Sequence, residues 1–369
     1  MVNVLQVMGN ADLGGICTVV LNYCTHIDRT KFHVDLVLNA PDVGRSEKAF
    51  LDMGSTIYRL PQKHNDFAGF SKGLRKILVE KHYDVVHVHH DETSYVALRI
   101  AKQMGIPCRI AHSHTRSPVS NVKDELKRIS GIFLNPFYAT HVLGCGKLAG
   151  DRVFGKAAMR SKMGMVLPNA IDTDRFAYSS ATRKEVKEEL GITGCVVIGM
   201  IGRLSSEKNN LFPLRFLPTV TKSVPNVCLL YAGGGKLESA IRDEVSRLGL
   251  WDHVRMLGSR NDMERIYQAL DVLIMPSLFE GFPMAAVEAM ASGLPVLLSD
   301  NITREFEFGS AVRYLSLDDP NKWAETVCEM VRLGGREERQ HEVREYGFDI
   351  RDSVKQLEQL YLHDIQKNR

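Results

Sequence analysis

The stretch DVLIMPSLFEGFPMAAVEAMASGLPVLLSD, residues 271–300, indicates the fold class, because it holds a strand, a helix and a second strand in succession. "DVLIMPS" and "PVLLSD" are short apolar runs, which is typical of strands buried on both faces of a parallel sheet. Alanines in the intervening segment allow a helix to pack closely on that sheet, and Pro283 suits its first turn. Such a unit is the repeating element of doubly wound α/β folds.

The same order of strands and helices recurs along the chain. It is seen in "VNVLQVM", "HVDLVLN", "DVVHVHH" and "CRIAHSH", and again after the link "VLPNAIDTDRF" in "CVVIGMIGRL", "VCLLYAGGG" and "VRMLGS". A chain of 369 residues exceeds the roughly 250–300 residues at which one core stops growing. We therefore predict two doubly wound α/β domains facing a cleft, at 1–168 and 169–345. A C-terminal amphipathic helix at 346–369, able to pack back on the first domain, should follow.

The composition is that of an ordinary globular protein, with 44% hydrophobic and 25% charged residues. Seven cysteines show no ligand spacing, so we interpret them as reduced thiols of a cytosolic protein. The N-terminus lacks the pattern of a signal peptide, and no apolar run approaches the ~18 residues of a membrane span. Any contact with a membrane is therefore expected to be peripheral.

Charge is unevenly distributed. Residues 1–170 contain 22 Lys and Arg against 14 Asp and Glu, and the remainder contains 25 against 30. A basic first half fits an anionic membrane surface, a phosphorylated acceptor or nucleic acid, or is a solvated surface without a partner. Within it, "NVKDELKRISGIFLNPFY", residues 121–138, mixes cations with Phe133 and Phe137. That mixture suits either a helix lying in a membrane interface or the core face of a helix.

Two basic or glycine-containing loops follow predicted strands, where ligands of open parallel sheets bind. "NADLGGI" places Gly14 and Gly15 before a helix, where backbone N–H groups can approach a phosphate or sugar, although a plain turn is an alternative. "GRLSSEKNN" presents Arg203 and Lys208, a pair of cations that suits a diphosphate or is simply solvated.

Histidines also lie at strand ends. His112 and His114, two apart in "CRIAHSHT", have metal-ligand spacing, but no carboxylate or third histidine lies at a supporting distance in the sequence. We therefore predict no metal site and prefer a sugar contact for His114. His87 and His89 of "HVHHD" alternate within a strand and are interpreted as structural.

Two carboxylates flank the start of the helix in residues 271–300. Glu280 follows the first strand of this stretch and is expected to face the cleft near a reacting sugar. Glu288 lies inside the helix and can accept two hydrogen bonds from a vicinal diol such as ribose. The alternative for Glu288 is a charge that complements the helix dipole.

These motifs carry a family resemblance that covers nearly the whole chain. "EGFPMAAVE", "GRLSSEK", the link "PNAID" and the early "GG" resemble the retaining nucleotide-sugar glycosyltransferases of family four, which have the GT-B architecture of two Rossmann-like domains. The usual link reads N-G-I-D, and the loop "NITREFEFG" departs from the glycine-rich segment of many relatives. This form of the loop is similar to that of the family branch that builds capsular or extracellular polysaccharides. By the resemblance, the loop borders the sugar pocket.

The resemblance implies a role for each candidate residue. Arg203 and Lys208 would hold the diphosphate, and Glu288 would hold the ribose. The transferred sugar would be bound by Glu280, Gly281, Phe282 and Pro283. From the other domain, Gly14 and Gly15 would contact the phosphates and His114 would contact the sugar. Glu280, His114, Arg203 and Lys208 are the expected catalytic set. The cations and helix ends would stabilise the leaving diphosphate without a metal or other cofactor.

The implied function is transfer of a hexose or N-acetylhexosamine from a UDP-sugar to a hydroxyl of a lipid-linked or oligosaccharide acceptor in surface polysaccharide biosynthesis. The expected partners are this donor, that acceptor and an anionic membrane contacted peripherally at the inner face of the cell membrane, with no nucleic acid. Two alternatives remain at this point: a UDP-sugar epimerase or phosphorylase on the same fold, and a non-enzymatic two-domain solute-binding protein.

Overall fold

The chain folds into two compact units in the computed structural model, which describes residues 1–12, 15–114, 121–305 and 311–368. The first unit combines Met1–Ile171 with Asp349–Arg369, and the second comprises Asp172–Phe348. The predicted boundaries, after 168 and after 345, differ from these divisions by three residues each. The chain therefore leaves the first unit once and returns to it for its last helix.

The first unit is built on a seven-stranded parallel sheet with the strand order β3-β2-β1-β4-β5-β6-β7. Its strands are β1 Val2–Met8, β2 Phe32–Leu38, β3 Ile57–Arg59, β4 Val85–Val88, β5 Cys108–Ser113, β6 His141–Gly144 and β7 Gly164–Val166. Its helices are α1 Gly15–His26, α2 Glu47–Asp52, α3 Phe67–Glu80, α4 Tyr95–Gln103, α5 Val122–Tyr138, α6 Lys147–Phe154, α7 Lys156–Arg160 and, at the end of the chain, α15 Ile350–Asn368.

The second unit contains a six-stranded parallel sheet with the order β10-β9-β8-β11-β12-β13. Its strands are β8 Val196–Ile201, β9 Val227–Ala232, β10 Val254–Met256, β11 Val272–Met275, β12 Val296–Ser299 and β13 Val312–Leu315. Its helices are α8 Ser180–Glu189, α9 Phe212–Ser223, α10 Glu238–Leu248, α11 Met263–Ala269, α12 Met284–Ala291, α13 Pro320–Leu333 and α14 Gln340–Glu345.

The predicted doubly wound architecture is confirmed, and the sequence shows why it forms. Every residue of β9 and β11 is buried, so their unbroken apolar runs match strands that are covered on both faces. On one side of the second sheet, Phe212, Phe216 and Trp323 of α9 and α13 stack together in the core. Burial of apolar surface, to which these large aromatic rings contribute, is the main favourable term in the stability of such a unit.

Helix α15 belongs to the core of the first unit. Its Val354, Leu357 and Tyr361 are at most 4% exposed. The Ile350 N–H donates to the Ile171 carbonyl, and the Glu358 carboxylate accepts from the Asp28 N–H. The apolar positions predicted at helical spacing therefore face inward.

Each sheet reverses its strand order once. The reversal lies between β1 and β4 in the first unit and between β8 and β11 in the second. Loops that leave the carboxyl ends of two such strands diverge and open a crevice, which is where ligands of these folds bind. None of the described helices is long and apolar enough to cross a membrane.

Candidate active site

The loops after β8 and β11, at the reversal of the second sheet, carry most of the predicted site residues. After β8 the chain forms a short 3-10 helix, Ser206–Lys208, which ends where Asn209 adopts a left-handed conformation. The Leu278 N–H of the other loop donates to the Glu207 carbonyl at 2.8 Å. This bond ties the two loops together at the mouth of the crevice.

Lys208 and Glu280 form an ion pair across this crevice. The ammonium nitrogen lies 2.5 Å from Glu280 Oε1, and the Ser277 hydroxyl donates to the same oxygen at 2.7 Å. Glu280 is 8% exposed. The resemblance assigned Lys208 to the diphosphate and Glu280 to the sugar, whereas here they satisfy each other. A phosphate that bound Lys208 would therefore compete with Glu280.

Arg203 lies in the same loop and is exposed. Among the described residues its guanidinium has no hydrogen-bond partner, but its charge interacts electrostatically with Glu207. Burial raises the pKa of Glu207, and hydrogen bonds together with the Arg203 charge outweigh that effect and lower it. Arg203 is thus a cation available to a ligand at the carboxyl end of β8.

A glycine-rich loop after β9 supports the Arg203 loop, and the sequence prediction assigned it no role. A Cβ at Gly233 would lie 1.9 Å from the Gly202 carbonyl oxygen, and one at Gly235 would lie 2.3 Å from the Leu204 oxygen. Both glycines also have positive φ. Only glycine fits where two backbones approach this closely. The triple glycine of "AGGG" was the available signal.

Asn210 fixes the far end of the same loop and was also missed. Its side chain is 1% exposed and accepts from the Ser205 N–H at 2.8 Å. Its carbonyl accepts from the Tyr231 hydroxyl at 2.8 Å. These bonds hold the 3-10 helix that presents Lys208.

Glu288 lies one turn into α12, beside α11. The Tyr267 hydroxyl donates to Glu288 Oε2 at 2.7 Å, and the Tyr267 ring is fully buried against Phe176. Burial raises the pKa of Glu288 to about 7, against lowering by Tyr267 and Arg175. One carboxylate oxygen is therefore held by Tyr267, and the partly exposed side chain has further acceptor capacity for a diol.

The segment Gly281–Pro283 connects the two carboxylates. Pro283 stands immediately before α12 instead of inside its first turn, and its carbonyl accepts from the Ala286 and Val287 N–H groups. The Phe282 ring is buried against Phe348, with centroids 5.1 Å apart. The backbone between Glu280 and α12 is thus anchored on both sides.

In the first unit, the predicted sugar contact His114 has both ring nitrogens occupied. Nε2 lies 2.8 Å from His89 Nδ1, and Nδ1 lies 3.2 Å from Asn169 Oδ1. The side chain is 6% exposed, and burial lowers its pKa to about 4. For His114 to contact a sugar directly, one of these two hydrogen bonds would have to be replaced by a hydrogen bond to the sugar.

The expectation that no third histidine would support His112 and His114 is wrong. Strands β4 and β5 pair directly, which brings His87 and His89 against them. Nitrogens of His87, His89 and His112 lie within 4.8 Å of one another, close enough for a metal. The His87 ring stacks on the rings of His89 and His112, and hydrogen bonds occupy all but one of the six nitrogens of these three residues. The absence of a metal site stays a prediction.

The glycine pair is only partly described. Gly14 lies outside the described residues, so its predicted phosphate contact stays a prediction. Gly15 is the exposed first residue of α1, and a Cβ there would meet no atom within 4 Å. The described residues around Gly15 therefore impose no steric requirement for glycine at this position.

The chain matches known glycosyltransferase families over most of its length. Residues 13–175 match the family described as "Glycosyltransferase Family 4", and residues 195–332 match "Glycosyl transferases group 1". The chain is 31% identical to the putative glycosyltransferase EpsF of Bacillus subtilis, over 99% of this chain and 97% of that protein.

A further sequence relative and a solved structure of similar fold are informative. An Escherichia coli UDP-Gal:alpha-D-GlcNAc-diphosphoundecaprenol alpha-1,3-galactosyltransferase is 29% identical over 62% of this chain and 60% of its own length. The crystal structure of Anabaena HepE in complex with UDP-glucose is similar in fold, with a TM-score of 0.81 and 18% identity over 98% of this chain and 100% of that one.

Proposed function

The chain belongs to the family-4 glycosyltransferases, and we propose that it transfers a hexose or N-acetylhexosamine from a UDP-sugar to a hydroxyl of a lipid-linked or oligosaccharide acceptor in surface polysaccharide biosynthesis, with retention of configuration. The observation that carries this proposal is the contact between Lys208 and Glu280 at the reversal of the second sheet, with Arg203 exposed in the same loop as Lys208. The named donor of the E. coli relative supports UDP-galactose as one candidate, and UDP-glucose in the HepE complex supports another.

In the proposed reaction, Arg203 and Lys208 neutralise the diphosphate as its bond to the anomeric carbon breaks. The acceptor hydroxyl attacks that carbon on the face that the diphosphate leaves, and its proton passes to the departing phosphate oxygen. Glu288 accepts hydrogen bonds from the ribose. When the phosphate binds Lys208, the ion pair between Lys208 and Glu280 breaks. Glu280 can then bind hydroxyls of the transferred sugar.

Product analysis on a panel of UDP-sugars with lipid-diphosphate and oligosaccharide acceptors tests the proposal. We expect a new glycoside only when both substrates are present, with the anomeric configuration of the donor. Lys208→Met should abolish it, whereas Lys236→Met, a change in the loop after β9, should not. Donor turnover without acceptor would instead indicate an epimerase or phosphorylase, and tight sugar binding without any turnover would indicate a binding protein.

We further propose that α5 contacts an anionic membrane that holds the acceptor. Five apolar side chains at helical spacing form one face of α5, each between 41% and 77% exposed, which we call the apolar stripe: Val122, Leu126, Ile129, Phe133 and Phe137. Only Gly131 and Asn135 of this helix are buried. An apolar face with lysines beside it suits a lipid interface better than water.

A further inference from the structure

A buried tyrosine stands behind Glu288, the residue proposed to bind the ribose. The Tyr267 hydroxyl of α11 donates to Glu288 Oε2 of α12 at 2.7 Å. The Tyr267 side chain is 0% exposed, whereas Glu288 is partly exposed. The hydroxyl therefore reaches the carboxylate from the protein interior and leaves its exposed side to a ligand.

The second carboxylate oxygen of Glu288, Oε1, is the one left to that ligand. In the part of the chain that the structure describes, no group donates a hydrogen bond to Oε1, and the atom is accessible to water. A carboxylate has about four acceptor positions. One bond from Tyr267 therefore leaves enough of them for both hydroxyls of a diol.

Contacts within the protein hold Tyr267 in place from two directions. Its ring packs edge-on against Phe176, with centroids 5.8 Å apart. Its carbonyl accepts from the Arg336 guanidinium at 2.5 Å, and the same guanidinium donates to the Ser292 carbonyl, at the end of α12, at 3.0 Å. Arg336 thus ties the helix that carries Tyr267 to the helix that carries Glu288.

The hydroxyl of Tyr267 is not needed to fill space, because a phenylalanine ring would occupy the same volume without a polar atom. Burying a hydroxyl costs free energy unless it is hydrogen-bonded, and a bond to an ionised acceptor is stronger than one to a neutral acceptor. The partner of this hydroxyl is the carboxylate of the predicted ribose contact.

We propose that Tyr267 is a positioning residue of the nucleotide site: by holding Oε2 it fixes the plane of the Glu288 carboxylate and presents Oε1 to a ribose diol. The inference rests on the proposed function, which supplies the ribose as part of a UDP-sugar. Tyr267 is fully buried, so it acts through Glu288 and does not touch the ligand itself.

The charge state of Glu288 provides a readout of this role. Burial raises its pKa to about 7, the Tyr267 hydrogen bond and the Arg175 charge lower it, and the Glu264 charge raises it. Arg175 and Glu264 form an ion pair with each other at 2.9 Å, and Tyr267 is the largest influence that favours the ionised form. Tyr267→Phe should therefore raise the pKa of Glu288 further, so that less of the carboxylate is ionised at pH 7.

Carbon-13 NMR of the unliganded protein, labelled at the glutamate side-chain carboxyls, measures this titration, with Glu288 assigned through Glu288→Gln. We expect a midpoint near pH 7 in the wild type. In Tyr267→Phe the midpoint should lie about one pH unit higher, as expected for losing a hydrogen bond to a charged group. An unchanged midpoint would overturn the proposal. Because no ligand is added, this result does not depend on the transferase proposal.

Calorimetric titration with UDP at pH 7 and pH 9 measures the effect on the ligand. Tyr267→Phe should weaken UDP binding about fivefold or more at pH 7, and less at pH 9, where Glu288 is again mostly ionised. The phosphate itself titrates near pH 6, so its charge changes little over this range. An equal loss at both pH values would show a general structural effect of the substitution and would contradict the positioning role.

Tyr83→Phe is the matched control, because the Tyr83 hydroxyl donates to the Asp35 carboxylate at 2.7 Å and both side chains are 0% exposed in the first unit. It should leave UDP affinity unchanged at both pH values. Glu288→Ala separates this proposal from the proposed function. If Glu288→Ala binds UDP as the wild type does, the ribose role fails, and the NMR midpoint still decides whether Tyr267 holds the carboxylate. If Glu288→Ala weakens UDP binding and Tyr267→Phe does not, the positioning role alone is overturned.

Discussion

At the scale of single residues, the two carboxylates of residues 280–288 are proposed to bind different parts of the donor. Glu288→Ala should weaken UDP binding by about tenfold to a hundredfold, because lost hydrogen bonds to a charged group cost ~1.5–3 kcal/mol. Glu280→Ala should slow transfer without weakening UDP binding, since Glu280 is proposed to contact the sugar and its removal leaves Lys208 without a competing partner. Calorimetric titration with UDP measures both, and equal dissociation constants for wild type and Glu288→Ala would refute the ribose role.

The pKa of Glu288 predicts a pH dependence of the same titration. Since burial raises that pKa to about 7, a growing fraction of Glu288 is protonated as pH falls below 7. The ionised carboxylate is the form that accepts two hydroxyls, so UDP affinity should fall by up to about tenfold per pH unit below 7, and binding should release a proton.

Glu288→Gln provides the control for this pH dependence, because a phosphate also titrates with a pKa near 6. The variant should keep only the part of the pH slope that comes from the ligand. Proton release is measured by repeating the calorimetry in buffers of different ionisation enthalpy. Superimposable pH profiles of wild type and Glu288→Gln would contradict the prediction.

Sequence reasoning located the charged groups of the site but not their partners. Glu280, Glu288 and Lys208 were predicted because they follow strands or lie within an apolar helical pattern. The Lys208–Glu280 ion pair joins residues 72 apart, and the Tyr267–Glu288 hydrogen bond joins residues 21 apart. Neither has a local signature, because each depends on which loops the sheet order brings together.

At the scale of elements, the apolar stripe of α5 predicts binding to anionic vesicles. Each cation near such a surface contributes ~1 kcal/mol, and the aromatic side chains add apolar burial. Wild type should co-sediment with anionic but not neutral vesicles, less so as salt rises or when Lys123, Lys127 and Arg128 are changed to Glu. Phe133→Asp combined with Phe137→Asp should abolish binding.

A matched surface change tests whether this effect is specific to α5. Val79 on α3 is 70% exposed in the same unit, and Val79→Asp should leave vesicle binding unchanged. If binding is indifferent to lipid charge, or if the Phe133 and Phe137 changes alter only the oligomeric state, the stripe is not a membrane surface.

The two interpretations of residues 121–138 could not be separated from the sequence, and the structure shows why. A core-facing helix and an interfacial helix have the same apolar periodicity. The deciding residues are Gly131 and Asn135: a Cβ at Gly131 would lie 2.9 Å from Glu92, and the Asn135 amide donates to the Asp91 and Glu92 carbonyls. The face of α5 with Gly131 and Asn135 therefore packs against Asp91 and Glu92, and Phe133 and Phe137 are exposed on another face.

At the scale of the whole molecule, two doubly wound domains could be predicted because fully buried parallel strands leave a strong signal. Strands β3, β7 and β13 have no such signal in the sequence, because they have only three or four residues and few fully buried positions. The apolar spacing of α15 predicted an amphipathic helix, whereas its place in the first unit became evident only from the structure. The pairing of β4 with β5, which brings His87 and His89 against His112 and His114, could not be predicted without the order of the strands in the sheet.

A prediction for the donor site as a whole is that UDP binds without a divalent metal. The loop after β8 in the second unit supplies two cations, Arg203 and Lys208. These two cations can balance the diphosphate directly. UDP dissociation constants should therefore agree in chelator and in Mg²⁺ or Mn²⁺, and Lys208→Met should weaken binding about tenfold or more under both conditions. Loss of wild-type binding in chelator, restored by Mn²⁺, would show that the leaving diphosphate depends on a metal instead.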